Sequence, residues 1–569
     1  MKSRSISRLL SNSVLDKERG DDVSERPTET TREKPRTTAT STTFDLSYEV
    51  ETQGELPGET LASKEVLLAV VDAFFIYCHN QPYSFFHEGN FRRGLSQGSL
   101  PEHLLLAVLA SAVRFSRHAY FNGRWYQAAV GYANRSWKSV VSSCITVSRT
   151  ADVSIVQTIA LLALFDFTAG QSRHGSAWVK IGMAVRIAQD LGLMLDAAPY
   201  LPYPEQEERR RVFWSVYLLD RLVSCGRGRP PAIVDASCHL QLPCDDTIWK
   251  NGLWQKTPSL DDLSNRALLH VERQGHFAHV IVMSYALGRG AQYMLQEYNI
   301  RSRYPPWDSS SDFAALELEL MHLETHLETN KSIQEMITPH ISAEGAVDHQ
   351  SVGPIIFSRA LFHLCYCMLN HPFLLRERLE TSQLSAPASF LARAFETAWQ
   401  HAQRMIELIR NSRRLGCVFQ SSFSGYCMIV AGSIAALNVH HNVASTRATA
   451  EALLYEAIAY LEDVGQYWAN VATMAQLLRH LAENALLFRQ LSCDQPQIQP
   501  LSQATSETMW SLVDYSTMSN DASTGLMENQ SHETNLWFDS WFGMFGNMDI
   551  ENDFGIIGND SNTANTMSA

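Results

Sequence analysis

Two acidic groups are the first candidates for chemistry in this chain. Asp245 and Asp246 are adjacent, and the sequence DDLSN occupies residues 261–265. Carboxylates at such spacing can hold magnesium, as in α-helical terpene cyclases. However, the second group lies in a segment bounded by Pro and Ser, and no partner triad follows it in the sequence. We therefore interpret both groups as acids on surface loops.

Histidines and a serine provide the other enzyme-like patterns. His322 and His326 are four residues apart and share a helical face with Glu319, a spacing compatible with zinc. The apolar stripe of this helix lies on the other side, which favours a solvated polar face. The sequence GQSRH at 170–174 lacks the closing glycine of a nucleophile elbow and follows a predicted helix. These patterns do not predict an enzyme.

The ten cysteines are spread along the chain rather than grouped. Cys365 and Cys367 are two residues apart, which turns them about 200° from each other on a helix. We interpret the cysteines as buried, reduced thiols of an intracellular protein, with no metal cofactor in this chain.

Residues 205–243 are the most informative stretch. Pro204 and the acidic residues after it predict a helix start, because the first turn tolerates proline and the helix dipole favours negative charge there. Gly226 ends the pattern. We expect this helix to be largely buried, with Trp214 in the core. Its apolar stripe consists of Val212, Val216, Leu219 and Val223, with Phe213 and Tyr217 beside it.

The same stretch contains an E-x-R-R-R-x-F-W-x-x-Y pattern, an Asp-Arg pair and a G-R-P turn. The residues are Glu207, Arg209, Arg210, Arg211, Phe213, Trp214, Tyr217, Asp220, Arg221, Gly228, Arg229 and Pro230. They resemble the middle homology region of fungal zinc-binuclear-cluster transcription factors. HPFL at 371–374 and YW at 467–468 also fit, so the resemblance covers roughly residues 65–490. It implies a nuclear regulator of transcription, commonly a homodimer, that controls a metabolic or biosynthetic gene set such as secondary metabolism.

The three arginines at 209–211 step about 100° each around a helix, so they cannot all face one phosphate backbone. Glu205 precedes Arg209, and Glu207 precedes Arg211, by the four residues that favour ion pairs. We expect pairs on the helix surface and one arginine that docks a neighbouring helix end. Recognition of a ligand or a partner remains a second interpretation, and DNA contact is disfavoured.

The G-R-P turn places Arg229 between Gly228 and Pro230, which restrict its backbone. We expect Arg229 to cap a helix C-terminus or to bond a carboxylate such as Asp220.

One part of the family pattern has no match. The family's DNA-binding module holds two zinc ions on six closely spaced cysteines near the N-terminus. The first cysteine here is Cys78. The family's zinc and DNA contacts therefore cannot be carried over to residues of this chain. Two explanations stay open: a truncated product of a longer gene, or a co-regulator that reaches DNA through a partner.

Composition divides the chain into three zones. Residues 1–60 are rich in Ser, Thr and Pro, which predicts a disordered arm. Residues 61–490 repeat apolar positions at helical spacing without lasting strand-like alternation, which predicts an all-α regulatory domain. Residues 491–569 predict a disordered acidic tail. The charge-free run 415–446 has about fifteen continuous apolar residues, fewer than a bilayer requires, so we expect a buried helix and no membrane partner.

Charge is concentrated in the tail. The formal net charge is −14, yet no Lys or Arg follows Arg489 while eleven acids do. The rest of the chain is near neutral and offers no basic field for phosphates.

Aromatic residues in the tail alternate with these acids. Acids keep such aromatics solvated, and the aromatics can insert into the groove of a coactivator, as in acidic activation segments. The alternative is a tail that folds back on the helical body. The main aromatic residues of the predicted activation segment are Trp537, Phe538, Trp541, Phe542 and Phe545.

We predict that the purified chain holds no stoichiometric zinc and binds no specific DNA sequence, because the ligand cluster and a basic field are both missing. Metal analysis that finds about two zinc ions per chain would refute the first statement. A gel-shift complex that survives physiological salt and competitor DNA would refute the second.

Overall fold

A computed structural model describes residues 62–142, 151–169, 173–264, 275–297, 303–326, 331–382, 385–492 and 501–518. Within these ranges the regular structure is helical, and the β structure is limited to one isolated bridge between Ile341 and Val347. The predicted all-α class is confirmed.

Ten helices make up the first half of the described chain. They are α1 (Lys64–Tyr77), α2 (Glu88–Gln97), α3 (Glu102–Ala112), α4 (Trp125–Val140), α5 (Val153–Thr168), α6 (His174–Asp190), α7 (Tyr203–Val223), α8 (Asp246–Lys250), α9 (Leu260–Ser264) and α10 (His276–Ala291). Helix α5 packs against α3, α6 and α7, and α3 packs against α1 and α4.

Nine helices follow in the second half. They are α11 (Asp312–His326), α12 (Ile333–Ile337), α13 (His349–Leu369), α14 (Pro372–Ser382), α15 (Ala388–Arg414), α16 (Ser422–Leu437), α17 (Ala444–Gly465), α18 (Ala469–Glu483) and α19 (Gln503–Val513). Helix α10 packs on both α7 and α13, so it joins the two halves of the core.

Side-chain caps explain where several of these helices begin. Asp152 accepts bonds from the amides of Ser154 and Ile155 at the start of α5, and Ser421 accepts one at the start of α16. Such caps satisfy amides that have no partner within the helix.

Helix α16 lies in the centre of the second half, and all its residues are buried. Two of its glycines allow close approach to α18. A Cβ on Gly432 would lie 2.6 Å from Leu478, and one on Gly425 would lie 2.8 Å from Val471. The expected buried helix within residues 415–446 is confirmed.

Helix α13 is long and apolar enough to cross a membrane, and it is the one helix in the described ranges that meets this test. In its most apolar window, 94% of the residues are buried inside the protein. Neighbouring helices α10, α15 and α16 therefore cover the surface that lipid would contact. Such burial is typical of a core helix.

The helical body extends beyond the boundary predicted at residue 490. Helix α19 contacts α16 and α18, and the hydroxyl of Tyr426 donates to the carbonyl of Val513 at 2.6 Å. Trp510 packs edge-on against Phe373. The acidic composition concealed this apolar group, so residues 501–518 belong with the body rather than with a disordered tail. The buried apolar and aromatic side chains of residues 501–518 are Met509, Trp510, Leu512, Val513, Tyr515 and Met518.

We predict that Trp510→Ala lowers the free energy of unfolding by about 3–5 kcal/mol, because a buried aromatic side chain leaves a cavity. Urea denaturation of the full chain measures this effect. Leu487→Ala is the control, since Leu487 is 69% exposed and should change stability by less than about 0.5 kcal/mol. Equal stability of the two variants would mean that α19 is not docked.

Candidate functional site

Helix α7 carries the E-x-R-R-R-x-F-W-x-x-Y pattern and the Asp-Arg pair, which we call the signature. The helix is buried on every side over most of its length. Every residue from Arg210 to Val223 is buried, because α5, α6, α8 and α10 surround the helix. Trp214 is fully buried, and its indole nitrogen donates to the carbonyl of Gln241 at 2.8 Å. The expected burial of Trp214 is confirmed. Since polar side chains are enclosed too, each of them needs a partner inside the protein.

Arg211 is fully enclosed, with no exposed side-chain surface. Its Nε donates to Glu207 at 2.9 Å, and its Nη1 donates to Asp246 at 2.6 Å. Nη1 also donates to the hydroxyl of Ser84 at 3.0 Å, and Nη2 donates to the carbonyl of Cys244 at 2.7 Å. The guanidinium thus joins α7 to the segment before α2 and to the start of α8.

Asp246 corrects an expectation from the sequence, because it is buried rather than on a surface loop. Burial alone would raise the pKa of its carboxyl group, but the charge and hydrogen bond of Arg211 hold the pKa below its ordinary value. The neighbouring Asp245 caps α8 through the amides of Thr247 and Ile248. The DD pair therefore has two structural roles and forms no paired-carboxylate site.

Of the other two arginines of the triplet, Arg209 docks α7 on α6, and Arg210 pairs with Glu207 within α7. Arg209 donates from Nη2 to the carbonyl of Leu191, the C-cap residue of α6, at 3.2 Å. This contact matches the expected docking of one arginine on a helix end. Arg210 pairs with Glu207, and Asp196 lies 3.8 Å from it at the surface. Glu207 therefore binds two arginines inside the protein, instead of forming a pair on the surface.

The Asp-Arg pair holds the segment that follows α7, residues 224–245, which we call the strap. Asp220 accepts bonds from the amides of Ala232 at 2.9 Å and Ile233 at 3.0 Å. Arg221 donates to Asp220 at 3.0 Å and to the carbonyl of Ile233 at 2.6 Å. Two adjacent side chains of the helix thus bind backbone N–H groups and a backbone carbonyl of the strap.

Asp235, in the strap, completes this arrangement. One of its oxygens accepts bonds from Arg221 and from the hydroxyl of Tyr217, each at 2.6 Å. The guanidinium of Arg221 lies 4.3 Å from the centre of the Tyr217 ring. Gly288 of α10 leaves room for Arg221, because a Cβ there would meet its Cδ at 2.7 Å.

The G-R-P turn differs from the expectation for Arg229. Gly228 has a φ of 68°, which a side chain would disfavour. The guanidinium of Arg229 lies over the ring of Trp178 at 4.6 Å, while Asp220 is bound by Arg221 and the strap. The turn is fixed instead by Gln296, whose amide donates to the carbonyls of Ser224 and Arg229. Nothing in the sequence pattern pointed to Gln296.

The electrostatics of the signature follow from these pairs. Burial would lower the pKa values of Arg211 and Arg221, but the adjacent acidic groups raise them above the ordinary value. Both arginines therefore stay charged, and each forms ion pairs with carboxylates within the protein. The arrangement can hold the strap on α7, but it presents no cluster of free cations to nucleic acid.

The metal-like patterns do not come together in the described part of the chain. No group of three His, Cys, Asp or Glu side chains there is placed to hold a metal ion. Glu319, one member of the predicted histidine face, forms an ion pair with Arg289. The side chain of His326 and the five tail aromatics at 537–545 lie outside the described residues, so the activation segment stays a prediction.

The fold and signature define an all-helical domain whose central helix, α7, is bound to the strap by hydrogen bonds and ion pairs. Residues 71–265, from α1 to just after α9, match the fungal specific transcription factor domain. The predicted resemblance is confirmed: the chain carries a fungal specific transcription factor domain. Helices α10 to α19 lie beyond this match but share its core.

Curated relatives have similar sequences. Zn(2)-C6 fungal-type transcription factor FTF1c of Fusarium oxysporum f. sp. lycopersici is 26% identical over 451 residues, which cover 75% of this chain and 47% of the relative. FTF2 of the same organism is also 26% identical, with 40% of its length covered. An uncharacterized transcriptional regulatory protein of Schizosaccharomyces pombe, C1327.01c, is 28% identical over 284 residues, 46% of this chain and 28% of the relative. The chain thus spans less than half the length of these relatives.

We predict that Asp246→Asn lowers the free energy of unfolding by about 3–5 kcal/mol, because it removes one partner of a buried ion pair. Denaturant titration at neutral pH measures the loss. Asp196→Asn is the matched control, since Asp196 also faces an arginine of α7 but its side chain is 60% exposed. The control should cost less than about 1 kcal/mol. Equal effects of the two substitutions would contradict the structural role of Asp246.

Proposed function

We propose that this chain is a transcription regulator whose helical body is a regulatory domain. The observation that carries the proposal is the fungal specific transcription factor domain at residues 71–265, in a chain whose relatives are named as transcription factors and transcriptional regulators. An enzyme is the remote alternative. The proposal extends to a nuclear location, to a homodimer, and to a metabolic or biosynthetic gene set as the target.

The signature arginines have a positioning role in this proposal. They hold α7, the strap and α8 together, and their charges are paired inside the protein. DNA is then contacted by a zinc module or by a partner protein, and not by α7. A co-regulator that acts entirely through a partner is the second candidate, because it needs no DNA-contacting surface on the helical body.

In this proposal the tail activates transcription by binding a coactivator. Aromatic residues among acids at 530–557 are suited to a coactivator groove, as argued from their composition. Helix α19, the last helix in the described part of the chain, ends at Val513, and residues 530–557 lie outside the described residues.

We predict that the full chain, fused to an unrelated DNA-binding domain, activates a reporter gene. Replacement of Trp537, Phe538, Trp541, Phe542 and Phe545 by Ala should abolish activation, because these side chains fill the groove of the coactivator. Replacement of Asp549, Glu551 and Asp553 by Asn should weaken it, since the aromatics then collapse on one another. Reporter activity at equal protein level measures each effect.

The matched control removes five exposed aromatic residues of the body instead. These are Tyr126, Tyr200, Tyr203, Trp254 and Tyr455, which are 48%, 85%, 52%, 57% and 76% exposed. The control should activate as the unmodified chain does. A silent unmodified fusion, or full activity of the variant without tail aromatics, would contradict the activation segment.

A further inference from the structure

A pocket lies where the first and second halves of the helical body meet. Its walls come from α1 and the segment after it, from α3 and α5, and from the beginnings of α16 and α18. The cavity volume is about 60 Å³, room for roughly four to six water molecules. The lining is mainly apolar, including Phe74, Leu161, Phe165 and Phe423. This composition suits a small molecule with an apolar body.

Arg114 is the one charged residue in the lining of this pocket. It is 8% exposed, and its guanidinium lies 4.1 Å from the ring centre of Trp468 and 5.6 Å from that of Phe165. Its Nη1 donates to the carbonyl of Tyr467 at 3.0 Å. The buried Nε–H has no acceptor among the described residues.

No carboxylate of the described residues balances this charge. Arg211 and Arg221 are paired with acids, whereas the titratable neighbours of Arg114 are the thiol of Cys78 and the phenol of Tyr126. Burial raises the pKa of Cys78 to about 12, so this thiol is neutral. Burial lowers the pKa of Arg114 to about 10, which leaves the guanidinium charged at neutral pH. A buried cation without an anion is costly, and an anionic ligand would remove that cost.

A second unpaired group lies in the same lining. Gln81 is 5% exposed and its amide nitrogen donates to the carbonyl of Ile76, but its buried Oε1 has no donor among the described residues. Hence the lining contains both an unused donor and an unused acceptor.

We propose that this pocket binds a small organic carboxylate, with its carboxylate on the Nε side of Arg114 and its apolar body against Phe165, Leu161 and Phe423. Guanidinium and carboxylate match in geometry and in charge, and such pairs are among the strongest hydrogen bonds in proteins. The ligand would contact both halves of the body, so binding stabilises their packing. The proposed regulator would then respond to a small molecule. Binding can be measured without any transcription assay, so the two proposals fail independently.

The test is calorimetric titration of the full chain with benzoate and with hexanoate, each compared with its neutral amide. At least one carboxylate should bind, and its amide should bind about tenfold more weakly or worse, because the amide lacks the charge that Arg114 requires. No binding of either carboxylate up to about 10 mM would overturn the proposal. Equal binding of an acid and its amide would also overturn it.

Substitutions then locate the site. Arg114→Gln should weaken carboxylate binding about tenfold or more, by loss of the charged bond. Arg359→Gln is the matched control, because Arg359 is 6% exposed and also donates to a backbone carbonyl, that of Lys331, but lies outside the pocket. The control should bind as the unmodified chain does. Equal weakening by both substitutions would overturn the assignment to Arg114.

A third variant addresses the case in which Arg114→Gln does not fold. Leu164→Trp enlarges a partly buried side chain of the pocket wall and leaves Arg114 in place. It should abolish binding by occupying the space of the ligand. Unchanged carboxylate affinity of folded Leu164→Trp would place the ligand elsewhere and overturn the proposal.

Discussion

The ion pairs of Arg211 with Glu207 and Asp246 are the constraint on which the central part of this structure depends. A guanidinium with no exposed surface must have its donors satisfied inside the protein, because an unpaired buried charge costs several kcal/mol. Meeting this requirement fixes Glu207 on α7, Ser84 before α2, and Asp246 at the start of α8. Three segments of the chain therefore take one relative position.

The strap is held by the same kind of interaction further along α7. Asp220 and Arg221 bind the amides and the carbonyl of residues 232–233, and Asp235 accepts from Arg221 in return. An irregular segment in the core needs such partners, since it has no helix to satisfy its backbone groups. The signature residues thus define how a helix and a strap pack, and their charges are paired with each other and with the strap.

Arg114 differs from these arginines in a way that matters for function. It joins the two halves of the body through the carbonyl of Tyr467, 353 residues away in the chain. Both arginines lie over aromatic rings, but Arg211 also has two carboxylate partners, whereas Arg114 has none among the described residues. A cation that packs on aromatic rings keeps its capacity to bind an anion. Structural and ligand-binding arginines are therefore distinguished by their partners and not by their burial.

The sequence by itself determined the helices, because helical periodicity, capping residues and glycine stops are local properties. It predicted α7 and the buried α16, and the arginine triplet pointed to one contact on a helix end, which Arg209 makes on α6. The second acidic partner of Arg211 could not be predicted: Asp246 lies 35 residues away and looks like any acid in a loop. The docking of α19 and the pocket at Arg114 were likewise decided only by tertiary structure. They depend on which apolar faces and which distant charges meet, and a residue's type and spacing do not carry that information.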